Sequence, residues 1–134
     1  MIFLDTNILI YSIDTRDARK QHLAREIVFN AEESENYLIS SQVLNEFSNV
    51  ALKKLFLPKE QVLALVWEFE AIRSVPVLPS WTARALEIMG LYGIQFFDSL
   101  LLAAAEANGC NEILTEDLND GQTYCGIRAI NPFK

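Results

Sequence analysis

Five short strand candidates, each three or four residues long and spaced by helix-length stretches, constrain this chain more than any other feature. They are Met1 to Leu4, Tyr37 to Ile39, Val75 to Leu78, Glu112 to Thr115 and Ile127 to Ile130. Helical periodicity fills the intervals at about Ala18 to Asn30, Gln42 to Leu55, Lys59 to Arg73, Thr82 to Leu91 and Asp98 to Asn108, with Asn108-Gly109 as a C-terminal stop. A run such as Met1 to Leu4, apolar at every position, suits a strand covered on both faces. Short strands alternating with helices therefore predict an α/β fold, a three-layer α/β/α domain with a mostly parallel central sheet of four to five strands. The 134 residues, half of them apolar, suit a single domain over residues 1–134, and no repeat or linker interrupts them.

An open parallel sheet binds ligands beyond the carboxyl ends of its strands, so the fold locates chemistry before any motif does. Asp5 follows the first strand candidate and Asp117 follows the fourth, so both can reach one crevice. Two further carboxylates stand at unusual helical positions. Glu46 falls about 40° beyond Val50 on a helical wheel, at the edge of the stripe formed by Val43, Leu44, Phe47, Val50, Ala51 and Leu55. Asp98 opens the most apolar helix of the chain, Ser99 to Ala105, which must run through the centre of the fold. Taken singly, each acid has a plain structural explanation: Asp5 and Asp98 as helix caps, Glu46 as a boundary residue, Asp117 as part of a turn. Taken together, four acids on one side of a sheet repel one another unless a cation holds them, and an all-oxygen set suits Mg²⁺ or Mn²⁺ better than zinc.

These residues sit in segments that resemble the PIN domain family, and among its members the VapC-like toxins. The resemblance runs through Phe3-Leu-Asp-Thr-Asn-Ile-Leu-Ile-Tyr11, Ser41-Gln-Val-Leu-Asn-Glu-Phe47, Phe97-Asp-Ser-Leu-Leu-Leu-Ala-Ala-Ala105 and Leu114-Thr-Glu-Asp-Leu118. It implies an acidic quartet of Asp5, Glu46, Asp98 and Asp117, supported by Thr6, Asn7 and Thr115, with Glu116 and Asp120 as alternates for the fourth acid. It further implies an Mg²⁺- or Mn²⁺-dependent endoribonuclease in which Asp5 and Asp98 bind the ion, Glu46 and Asp117 hold a second ion or ordered waters, and products carry 5′-phosphate and 3′-hydroxyl ends. The partners it implies are an RNA substrate, a VapB-like antitoxin that blocks the acid cluster, and a second copy in a homodimer.

The net charge of −7 excludes a general basic nucleic-acid binder, although setting the four acids aside leaves only −3. Basic residues concentrate at Arg16, Arg19, Lys20 and Arg25 and at Lys53, Lys54 and Lys59, where they could meet phosphates or simply face solvent. The helix expected from Lys59 to Arg73 carries an apolar arc of about 220°, wider than one core-facing stripe requires. That width suits either deep burial or a partner surface.

Other chemistries fit less well. Cys110 and Cys125 have no zinc-ligand spacing with the single His22, which sits in a charged, surface-type segment without a nucleophile motif. A haloacid-dehalogenase-like phosphohydrolase also starts from a strand-end Asp and Mg²⁺, but it wants a second Asp where this chain has Asn7. A response-regulator receiver wants a late lysine where Ile130-Asn-Pro-Phe133 has none. A non-catalytic binding module, with the acids as caps, is the remaining alternative. No signal peptide or membrane span is read, so a cytoplasmic protein is expected.

Overall fold

The computed structural model describes all residues from 1 to 134. Strand β1 (Ile2–Leu4) leads into α1 (Thr6–Ile13) and α2 (Ala18–Glu33), then β2 (Tyr37–Ser40), α3 (Ser41–Lys53) and α4 (Lys59–Phe69). The short β3 (Ser74–Val75) is followed by α5 (Ser80–Tyr92), α6 (Phe96–Ala107), β4 (Glu112–Leu114), β5 (Thr123–Tyr124) and β6 (Ile127–Ile130). The sheet order is β3-β2-β1-β4-β6-β5, parallel throughout except for the antiparallel β5–β6 pair.

The fold is thus the expected mostly parallel α/β sheet, with one strand more than the five short runs indicate. The addition, β5, has two residues and leaves no periodicity to read. It exists because Cys125 and Gly126, both at positive φ, turn the chain back onto β6. Helix α1 is likewise absent from the expected helices. Its sequence, Thr-Asn-Ile-Leu-Ile-Tyr-Ser-Ile, extends the apolar character of β1 with no break in hydrophobicity, and only the Asp5 cap divides strand from helix. Other boundaries move by a few residues: α4 stops at Phe69, not Arg73, and β3 starts at Ser74 and ends before Pro76.

The core is one continuous cluster. Helix α6 lies at its centre, with every residue from Ser99 to Ala105 buried, as its uninterrupted apolar run requires. Alanines at 103, 104 and 105 let it pack closely. Helix α4 departs from deep burial: Val62 and Phe69 face the core, while Leu63 and Trp67 are exposed. No single helix is long and apolar enough to cross a membrane.

Two features of this topology create a crevice at the strand ends. After β1 the chain builds outward through β2 and β3, then returns to place β4 on the other side of β1, so the strand order reverses between β1 and β4. Crevices at such reversals are where open α/β sheets bind ligands. The register pairs Leu4 with Leu114, which sets Asp5 and Thr115 side by side immediately beyond the two strand ends.

Candidate metal centre at the strand ends

Asp5 is the N-cap of α1, and its Oδ1 accepts the Thr6 backbone N–H at 2.6 Å. Its other oxygen, Oδ2, accepts the Thr115 hydroxyl at 2.7 Å. The carboxyl group is almost fully enclosed, with only 4% of the residue exposed. Burial is the largest influence on it and raises its pKa to about 7; the nearby Asp117 and Asp98 charges push in the same direction and the two hydrogen bonds oppose them. The same side chain caps α1 and lines the crevice.

Asp98 is the third residue of α6, not its cap, which is Gln95. It lies in the first turn of the helix, half-buried, and takes part in no ion pair. Burial, followed by the charges of Asp117 and Glu46, raises its pKa to about 6. Asp117 follows β4, and its Oδ2 accepts the Asn7 side-chain amide at 3.1 Å. Its own backbone N–H donates to the Thr115 hydroxyl at 3.0 Å, so one threonine orients two acids. Carboxylate oxygens of Asp5, Asp98 and Asp117 all lie within 4.8 Å of one another.

Glu46 stands in the second turn of α3 and faces the same crevice. Its Oε1 accepts the Thr6 hydroxyl at 3.3 Å and the Gln42 amide at 3.0 Å. Gln42 also donates to the Phe97 carbonyl at 3.1 Å, tying α3 to the start of α6 beside Asp98. The sequence reading did not single out Gln42; its one signal is the position four residues before Glu46, on the same helical face. The crevice, of about 340 Å³, is lined by all four acids together with Thr6, Asn7 and Tyr11.

The alternates for the fourth acid point elsewhere. Glu116 accepts from Lys20 Nζ at 3.1 Å and from the Tyr11 hydroxyl, and Asp120 accepts the Asn131 backbone N–H at 2.8 Å in a turn. Thr6 donates to Asp5 and Glu46, Asn7 to Asp117 and, at 3.5 Å, to Asp5, and Thr115 to Asp5. His22 is exposed and pairs with Glu26, and both cysteines are free thiols.

A cation fits this arrangement on two counts. None of the four acids has a Lys or Arg partner, although the molecule has six ion pairs. The buried Asn7 Oδ1 and Gln42 Oε1 are acceptors without a donor at the same locality, so acceptor capacity exceeds what the protein supplies. An all-oxygen donor set of this kind suits a hard divalent ion.

The PIN domain model matches residues 2–119. No curated protein matches the chain significantly in sequence. Among solved structures, a toxin–antitoxin complex from Klebsiella pneumoniae is similar at TM-score 0.71 and 20% identity, over 98% of each chain. VapC20 of Mycobacterium tuberculosis, a sarcin-ricin-loop-cleaving toxin, is similar at TM-score 0.68 and 18% identity, over 84% of this chain and 87% of its own. A DNA-bound VapBC from Salmonella typhimurium is similar at TM-score 0.67 and 22% identity, over 96% and 95%. At these identities the structures speak for a shared fold. The family match spans every strand from β1 to β4 and all six helices, with the four acids inside it, and on that match the chain belongs to the PIN domain family.

Proposed function

We propose that this protein is an Mg²⁺- or Mn²⁺-dependent endoribonuclease, the VapC-type toxin of a VapBC-type toxin–antitoxin pair. The observation that carries the reading is the convergence of three carboxylates within 4.8 Å, without a neutralising side chain, at the strand-order reversal of a PIN domain. When bound, a divalent ion there would acidify a water and offset negative charge developing on the phosphodiester.

The protein's own part is to hold acceptors in place. Asp5, fixed by the Thr6 N–H and the Thr115 hydroxyl, and Asp98, whose carboxylate has no ion-pair partner, would be the direct ligands. Glu46, held by Thr6 and Gln42, and Asp117, held by Asn7, complete the set by taking a second ion or ordering waters. Fixing these side chains before substrate arrives lowers the reorganisation required at the reacting phosphate. Hydrolysis would leave 5′-phosphate and 3′-hydroxyl ends. The Asn7 amide, which donates to Asp117, stands where a phosphohydrolase would need a second acid.

A VapB-like antitoxin and a second copy of the chain belong to the same reading. Its support is the similarity to toxin–antitoxin complexes and the unburied apolar flank of α4, where Leu63 and Trp67 are exposed. The test is incubation of folded protein with total cellular RNA in Mg²⁺, in Mn²⁺ and in EDTA, alongside a small phosphomonoester. Discrete RNA fragments formed only with the ions support the reading; an intact RNA pool with turnover of the monoester overturns it in favour of a phosphohydrolase.

A further inference from the structure

We infer that Arg16 and Lys54 form a phosphate-binding lip at the far end of the acid-lined crevice and hold the RNA backbone about two nucleotides from the cleaved bond. This rests on the ribonuclease reading.

Of the eleven basic side chains, only these two line the crevice that contains the acids. Most of the others with a defined partner are occupied elsewhere: Arg19 donates to the Phe133 carbonyl, Lys20 to Glu116 and Tyr11, Arg25 to the Ser12 carbonyl and Arg84 to Glu106. The two cations reach the lip from neighbouring helices that run side by side. Asp5 caps the start of α1 and Asp14 its end, about 12 Å away for eight residues. Lys54 closes α3 eight residues after Glu46, about 12 Å along that axis. The crevice is therefore polarised, with the four acids at one end and Lys54 and the Asp14-paired Arg16 at the other, and Arg16 and Lys54 also share the adjoining hollow.

Neither cation is there to neutralise the acids, since neither pairs with them. Arg16 is instead held by Asp14, a buried carboxylate that accepts Arg16 Nε at 2.9 Å, Nη2 at 2.7 Å and the backbone N–H at 3.1 Å. That grip leaves Nη1 without a partner, on a side chain 74% exposed. A guanidinium fixed along one edge and open along the other is suited to phosphate oxygens. Lys54 adds an exposed, unpaired ammonium beside it. A polyanion laid along the α1–α3 groove would place one phosphate at the acids, with their ion, and a phosphate about two nucleotides along the strand on the lip. Such contacts set affinity and register without reading bases. Asp14 acts through Arg16 as a positioning residue.

The experiment uses the full chain and a fluorescein-labelled single-stranded oligoribonucleotide of mixed sequence. Binding is followed by anisotropy in Ca²⁺ and cleavage in Mg²⁺, for wild type, Lys54→Gln, Arg16→Gln, the double variant and Lys53→Gln as an off-crevice control. Lys54→Gln is a surface change that leaves the fold intact, so it reports even if removing Arg16 unsettles the buried Asp14. The double variant should bind about tenfold more weakly, with a salt dependence shallower by about 0.7 per lost phosphate contact. KM should rise while kcat holds, and Lys53→Gln should match wild type. Asp14→Asn should raise KM in the same way. If wild type cleaves and the Lys54 and double variants bind and cleave as it does, the lip is overturned and the nuclease reading stands. If wild type binds RNA through these residues but does not cleave it, the nuclease reading falls; if wild type neither binds nor cleaves, both fall.

Discussion

Asp5 and Asp98 both carry raised pKa values, about 7 and about 6, because burial and neighbouring acids disfavour their charged forms. In the unfolded chain both would release their protons near the ordinary aspartate value of 3.8. Between about pH 4 and pH 7 the folded, ion-free chain thus binds more protons than the unfolded chain, and its stability falls as pH rises through that window. Thermal melts in EDTA should show a midpoint that declines across it. Mn²⁺ requires the deprotonated acids, so the stabilisation it adds should grow toward neutral pH. A melting temperature in EDTA that rises over the same window would contradict this assignment. Thr115 makes a second residue-scale prediction. Thr115→Val keeps shape but removes the donor to Asp5 and the acceptor for the Asp117 N–H. Mn²⁺ affinity, measured by titration, should drop about 10–100-fold, the usual effect of losing a partner that orients a ligand.

At the scale of elements, α6 makes the site by bringing Asp98 to the core layer, and its alanines set how closely it can approach the sheet. Ala104 is buried with almost no exposure, so Ala104→Leu should overpack and cost about 1–3 kcal/mol in denaturant unfolding. The expectation that this helix is central was readable because its apolar residues occupy every face. Helix α1 was not readable in the same way, since Ile8, Leu9 and Ile10 continue the hydrophobicity of β1, and only a cap at Asp5 separates the two. The same ambiguity bears on the site. Asp5 could be read as a cap or as a ligand, and the geometry gives it the first role while setting Asp98 and Asp117 around its carboxylate. Asp98 could also be read as a cap, but two phenylalanines enter the helix before it. Gln42 was invisible because a glutamine near a helix start has many ordinary uses; it donates to Glu46 within α3, and its second hydrogen bond, to the Phe97 carbonyl, exists only once α3 and α6 meet. Choosing Asp117 over Glu116 likewise needs three dimensions, where Lys20 and Tyr11 draw Glu116 away from the acids.

For the whole molecule, the sequence carried the sheet and its crevice because alternation of short strands with helices admits few arrangements. It did not carry the partition of charge along the crevice, which depends on α1 and α3 lying side by side. On the proposed function, the acids at the strand-order reversal would hold a divalent ion that supports RNA cleavage. The measurement that tests it most directly compares RNA cleavage by wild type and Asp98→Asn in Mg²⁺. Asp98 has no ion-pair partner, so the substitution should leave the fold intact and, by removing a repelling charge, raise the melting temperature in EDTA. Cleavage by this correctly folded variant should fall by about 10²-fold or more. Cleavage at the wild-type rate by Asp98→Asn, with the same dependence on Mg²⁺, would contradict it.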